Sequence, residues 1–142
     1  MAIDEPDGAP PHLQPMLLGV VAVGGAIGSL IRYQVAQALP TPAPGWPTAT
    51  FVVNVVGAFV LGLLLEALGR SGPDQGWRRR ARLFGGTGFC GGLTTYSTLA
   101  VEIDLLTRGH HLGVAAAYGA TSVLAGLVAS VAGVAMAGVV RR

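Results

Sequence analysis

The chain has 142 residues, of which 51% are hydrophobic and 11% charged, with a mean hydropathy of +0.59. An average soluble domain carries about 25% charged residues, so this composition excludes a water-soluble globule and leaves a small membrane protein, one domain at most and too short to bury a large private core. The net charge of +2 comes from arginine, since there is no lysine, and the arginines lie between apolar segments, where they bear on topology and lipid head groups and not on nucleic acid.

Residues 1–15 are polar, proline-rich and acidic and read as a disordered tail in which His12 is solvated. Asp4, Glu5 and Asp7 have the opposite sign to the basic start of a secretory signal. The membrane domain is expected over residues 16–142. Its first apolar run, Met16 to Leu39, is long enough for a transmembrane helix at 1.5 Å per residue. Gly24, Gly28 and Arg32 share one face of it. The Gly24–Gly28 pair allows another helix to approach closely, while Arg32 either snorkels to the interface or faces a vestibule as a functional charge.

Pro40 to Pro47 cannot be helical and predicts a turn, with Trp46 placed as an interfacial anchor. The second span, Thr48 to Leu68, has one strongly polar interior residue, Asn54, followed on the same face by Ala58, Gly62 and Glu66. Asn54 either holds two helices together or presents amide donors to an anion. Glu66, near the helix end, is expected in water, and Gly69 to Arg82 reads as a charged loop.

The third span, Phe84 to Thr107, is interrupted by Gly85, Gly86, Gly88, Gly91 and Gly92 and then by Thr94, Thr95, Ser97 and Thr98. Such a backbone is cheap to unwind, and a break between Gly91 and Ser97 is predicted. At membrane depth this is tolerated only inside protein or beside a wet cavity, as in transporters and channels. Gly86, Gly88 and Gly91 match the dinucleotide fingerprint literally, but no strand precedes them and membrane spans surround them, so the match is discounted. The single cysteine, Cys90, excludes an internal disulfide and reads as a small buried apolar residue. His110 and His111 fall in the next loop. Leu112 to Val140 forms the fourth span, with Ser122, Gly126 and Ser130 as a packing face, and Arg141 and Arg142 end in water.

The string GFCGGLTTYSTLAVE at Gly88–Glu102, with TATFVVN at Thr48–Asn54 and GGAIGSLIR at Gly24–Arg32, resembles the Fluc (CrcB) family of fluoride channels over all four spans. The resemblance implies an all-α membrane protein of four transmembrane helices, the third broken at mid-membrane, acting as an antiparallel dimer in the cell membrane. It implies passive export of fluoride from the cytoplasm and a structural, untransported sodium ion at the dimer centre. Gly91 and Thr94 match the positions whose backbone carbonyls hold that sodium. Asn54 matches the pore asparagine, and Tyr96 and Leu99 match two pore phenylalanines, with Thr95, Ser97 and Thr98 as nearby hydroxyl donors. Arg32 matches the arginine that makes the vestibule positive. Glu102 matches a family carboxylate, whose acceptor-only chemistry suits hydroxyls or an arginine. Leu99 stands where the family usually has its second phenylalanine and Ala100 where it often has serine, so this subunit lacks one ring.

No nucleophile, paired carboxylate or metal-ligand cluster points to an enzyme. Two other classes fit four spans. A small proton-coupled multidrug exporter needs a carboxylate on an intramembrane cation path, where this first helix carries Arg32. A non-conducting structural membrane subunit needs neither the broken span nor Asn54. The loops add an expectation about orientation: Arg70, Arg78, Arg79, Arg80, Arg82, Arg141 and Arg142 share one side of the membrane and Arg108 lies on the other. That bias predicts a fixed orientation with both termini in the cytoplasm. An antiparallel dimer then calls for a heterodimer with an opposite-topology paralogue, which could supply the missing ring.

Overall fold

A computed structural model describes residues 14–42 and 45–140. Most of the tail expected at residues 1–15, and Arg141 and Arg142, lie outside the described residues.

Helix α1 runs Pro15–Ala38 with proline in its first turn, where the missing N–H costs nothing. It stops at Leu39, the residue before Pro40, which disfavours helical geometry. Helix α2, Thr48–Ser71, follows Pro47 and ends at Gly72, whose φ of +126° suits glycine and which precedes Pro73. Helix α6 spans Leu112–Val140. These helices of 24, 24 and 29 residues reach about 36 to 44 Å, enough to cross a hydrocarbon core of about 30 Å.

The third span is composite. A short helix α3, Gly76–Ala81, leads into a π-helical segment, Arg82–Cys90, then a single turn α4, Gly91–Leu93, and after a break helix α5, Tyr96–Arg108. The stretch expected as a charged loop over Gly69–Arg82 is therefore largely helical: α2 continues to Ser71, and the arginine-rich run, made of good helix formers, supplies α3. Among the described residues the interruption is two residues, Thr94 and Thr95, both extended.

Two seams join the spans. Along α1, a Cβ on Gly24 or Gly28 would collide with the carbonyl of Phe84 or Phe89, so the glycine pair read from the sequence is the surface against which the third span lies. The second seam joins α2 and α6, where Gly62 meets the Ser130 carbonyl and Gly133 meets the Phe59 carbonyl. The stripe predicted on α6 is corrected here. Ser122 is buried and Ser130 lies on the α2 seam, but Gly126 has nothing within 4 Å of a Cβ position, and the buried stripe is Ala115, Tyr118, Ser122, Gly133 and Ala137. A strict spacing of four drifts off a helix of 3.6 residues per turn.

Below the break, Leu99, Leu106, Ala115 and Tyr118 form a buried cluster with Phe51, Ile103 and Trp46 against it. Trp46 meets Tyr118 edge-on at 5.3 Å and Phe51 at 5.9 Å. Trp46, read from the sequence as an interfacial anchor, is half-buried with its ring packed on this cluster. Elsewhere the surface is apolar: Leu18, Val123, Leu124 and Val128 are 51–67% exposed, as expected of side chains that face lipid or another subunit. Helix α5 closes with His111 N–H donating to the Leu106 carbonyl at 2.9 Å while His110 takes the left-handed conformation, φ 61°, the role usually given to glycine.

Candidate functional site: the break in the third span

A regular helix would have the Thr95 N–H donate back to the Gly91 carbonyl. Here it donates to Asn54 Oδ1 at 2.7 Å, and Asn54 Nδ2 returns a bond to the Thr95 carbonyl at 3.0 Å. One side chain of α2 thus replaces the backbone acceptor lost by the Thr95 N–H and adds a donor to its carbonyl, and the reciprocal pattern fixes which end of the amide is which. Two readings of Asn54 were open, helix glue or pore donor. The geometry gives it a definite task, clamping an unwound residue, while it also lines a recess of about 440 Å³ with Gly91, Thr94, Tyr96 and Leu99.

Thr95 is buried and serves α5 as its N-cap. Its Oγ1 accepts from the Thr98 N–H at 3.1 Å and lies 2.9 Å from Thr98 Oγ1 and 3.2 Å from Ser97 Oγ. Three hydroxyls expected as a donor cluster are therefore together, coupled through Thr95. Thr94 is held differently: its Oγ1 donates to the Cys90 carbonyl at 2.8 Å, and its methyl fills the room left by the absent side chain of Gly57.

Helix α1 caps the other side of the break. Arg32 Nη1 donates to the Thr94 carbonyl at 3.4 Å and Ser29 Oγ to the Gly92 carbonyl at 3.5 Å, both long. Arg32 lines a recess of about 310 Å³ with Thr50, Thr95 and Thr98. Thr95 lines both recesses, so the clamped residue is the wall between them.

Glu102 lies two turns into α5. Its Oε1 accepts from Thr50 Oγ1 at 2.8 Å and its Oε2 from the Tyr118 hydroxyl at 2.6 Å, matching the preference for hydroxyls expected of an acceptor-only group. Thr50 and Tyr118 were absent from the sequence-derived site. The signal was there: Thr50 lies one turn before Asn54 on the face already traced along α2, and Tyr118 lies one turn before Ser122.

The two residues aligned with pore rings part company. Tyr96 is 83% exposed, whereas Leu99 is 8% exposed, and its place in the Tyr118 cluster leaves one edge on the Asn54 recess. Glu66, expected in water, pairs with Arg70 one turn on. Cys90 is buried, as read from the sequence.

For a cation, hard oxygen donors are what matter. The Gly91 carbonyl loses its helical donor to the Asn54 clamp, the Thr94 carbonyl accepts only at long range from Arg32, and Gly91 is exposed with open space around it. Both are oxygens of the type such an ion takes, and the Thr94 carbonyl already faces the Arg32 guanidinium.

Three uninterrupted helices apolar enough to cross a membrane, with a fourth crossing unwound at its centre between two recesses, define a polytopic membrane protein whose irregular backbone is sheltered inside the protein. The family model described as CrcB-like protein, Camphor Resistance (CrcB), matches residues 19–134, and the chain belongs to that family. It is similar to the fluoride-specific ion channel FluC 2 of Leifsonia xyli subsp. xyli, with 46% identity over 127 residues covering 89% of this chain and 87% of the relative. FluC 1 of Cutibacterium acnes is 49% identical over 113 residues, 80% of this chain and 79% of the relative. FluC of Caulobacter vibrioides is 41% identical over 119 residues, 83% of this chain and 92% of the relative.

Proposed function

We propose that this chain forms a fluoride-conducting channel that lets the anion leave the cytoplasm passively, without catalytic turnover. The observation that carries the reading is the break itself, an unwound residue clamped by Asn54 between a recess with an arginine and a recess with a tyrosine. Fluoride is small and strongly hydrated, so a narrow path must replace its water with donors. The hydroxyls of Thr95, Ser97 and Thr98 and the amide of Asn54 supply them, and Arg32 draws anions to the entrance. Tyr96 and Leu99 flank the path, with Tyr96 offering a ring edge. Glu102 repels fluoride as a bare carboxylate and acts by orienting the Thr50 and Tyr118 hydroxyls.

A structural sodium held by the carbonyls of Gly91 and Thr94 and their copies in an antiparallel partner fits the donor set. With Arg32 it would make the break positive. The arginine bias of the loops supports a fixed orientation with both termini in the cytoplasm, and hence a partner of opposite topology. The exporter and the purely structural subunit are disfavoured by Arg32 and by the clamped break respectively.

The test is efflux from liposomes containing the purified full chain, loaded with fluoride or with chloride. Fluoride release well above chloride is expected, and replacing sodium on both sides by a bulky organic cation should abolish it. Equal release of the two anions would overturn the fluoride reading, and unchanged release without sodium would overturn the ion site alone. Labelling in cells of a cysteine added at the C-terminus from one face only supports fixed orientation, whereas labelling from both faces would show dual topology and remove the need for a separate partner.

A further inference from the structure

The corner where α2 turns into the third span has a use that conduction does not absorb. Arg78, Arg79, Arg80 and Arg82 occur within five residues. The acids nearby are already engaged: Asp74 is bound by Arg82 through two nitrogens at 2.7–3.0 Å, and Glu66 pairs with Arg70. Arg82 holds the Asp74 carboxyl below its ordinary range, chiefly through that hydrogen bond. Among the described residues, Arg78, Arg79 and Arg80 have no carboxylate within ion-pair distance.

Arg78 is set apart from a solvated charge. Its guanidinium lies 5.5 Å over the Trp77 ring and within 3.2–3.4 Å of where a Cβ on Gly72 would stand, and its Nε is buried without a hydrogen-bond partner among the described residues. It lines a recess of about 290 Å³ whose other walls are Leu65, Leu68, Gly69 and the neutralised Asp74–Arg82 pair. One end of the recess is cationic and the other is the apolar flank of α2, where Leu65 is 44% exposed; Trp77 beside it is 61% exposed, as aromatic residues at a membrane interface are.

We propose that this corner is a binding site for an anionic phospholipid of the leaflet it faces, with the phosphate on Arg78, the glycerol and first acyl carbons along Leu65 and Leu68, and Arg79 and Arg80 adding positive charge around the recess. A free phosphate would meet the arginines but has no use for the leucines. The joined apolar wall and the exposed tryptophan therefore select the lipid. Basic pockets at the cytoplasmic ends of membrane helices bind such head groups, each arginine contributing roughly a fivefold gain.

Native mass spectrometry of the detergent-solubilised full chain, titrated separately with phosphatidylglycerol, phosphatidylcholine and inorganic phosphate, tests this. Phosphatidylglycerol should be retained at least fivefold over phosphatidylcholine, with Arg78→Gln reducing that preference roughly fivefold and Arg108→Gln leaving it intact. If Arg78→Gln does not elute as a single species, the Arg79→Gln/Arg80→Gln pair, which removes charge around the recess but none of its lining, should still lower the preference measurably. Equal retention of the two lipids, a preference that survives loss of these arginines, or binding of inorganic phosphate without any phosphatidylglycerol preference would overturn the proposal.

Discussion

The two seams of the molecule use the same grammar of glycine against backbone and reach opposite ends. Between α2 and α6, Gly62 and Gly133 bring two unbroken helices together, and every main-chain group there keeps its own helical partner. Between α1 and the third span, Gly24 and Gly28 bring α1 against a π-helical stretch that ends in a break, and Ser29, Arg32 and Asn54 must supply bonds the helix has given up. Close approach without polar compensation makes a scaffold. Close approach with it holds open an irregular backbone in a place where water cannot help.

The sharpest way to break this contrast is with methyl groups. Gly28→Ala and Gly133→Ala each place a Cβ on a backbone carbonyl that no rotamer can move aside, so each should lower stability by about 1–3 kcal/mol, read as a lower melting temperature in detergent. Only Gly28→Ala should also depress fluoride flux per folded molecule, because it displaces the segment that carries the break. Gly19→Ala, with open space around it, is the control and should be neutral or slightly stabilising. Equal loss of flux at both seams would dissolve the distinction.

Tyr118→Phe probes the support beneath the break. It strips Glu102 Oε2 of a 2.6 Å donor and should cost about 1–3 kcal/mol, the usual range for a buried polar group left short. A loss no larger than that of an exposed control such as Tyr33→Phe would show the bond to be dispensable.

His110→Gly should go the other way. Its left-handed backbone, φ 61°, is strained for a residue with a Cβ, so glycine there should raise stability by about 0.5–1 kcal/mol; a lower melting temperature would mean that the imidazole itself makes a contact worth more.

The smallest effect is expected at the corner. Because the Arg82 hydrogen bond depresses the Asp74 carboxyl in the folded state, its contribution is present above the ordinary value of 3.8 and fades as pH falls through the lower folded value. Both partners are well exposed, which limits the contribution to about 0–1 kcal/mol. The melting-temperature gap between wild type and Asp74→Asn should therefore be small at neutral pH and vanish in acid; a gap that widens in acid contradicts the assignment.

How much of this was legible beforehand follows from the physics of each element. Spans were readable because hydropathy and length decide them, and the break because glycines followed by four hydroxyl residues leave a helix little to gain. The π-helical stretch was not readable, since nothing in Arg82–Cys90 distinguishes a wide turn from an ordinary one until α1 presses on it. Asn54 was singled out as the polar residue in its span, yet its task was hidden, because the partner is the main chain of Thr95, forty-one positions away. Tyr118 and Thr50 went unread because tyrosine and threonine are unremarkable in an apolar run until a carboxylate is found between them. The α3 helix was masked by its charge, which suggested a loop where propensity favoured a turn of helix.

The central claim is that the clamped break is the conducting site and not a packing defect. Fluoride efflux per correctly folded molecule should be measured for wild type and Asn54→Ala in the same liposomes. The account predicts that removing both bonds to Thr95 leaves a monodisperse protein destabilised by about 1–3 kcal/mol with fluoride efflux lost or nearly so. Efflux at the wild-type level from Asn54→Ala would contradict it.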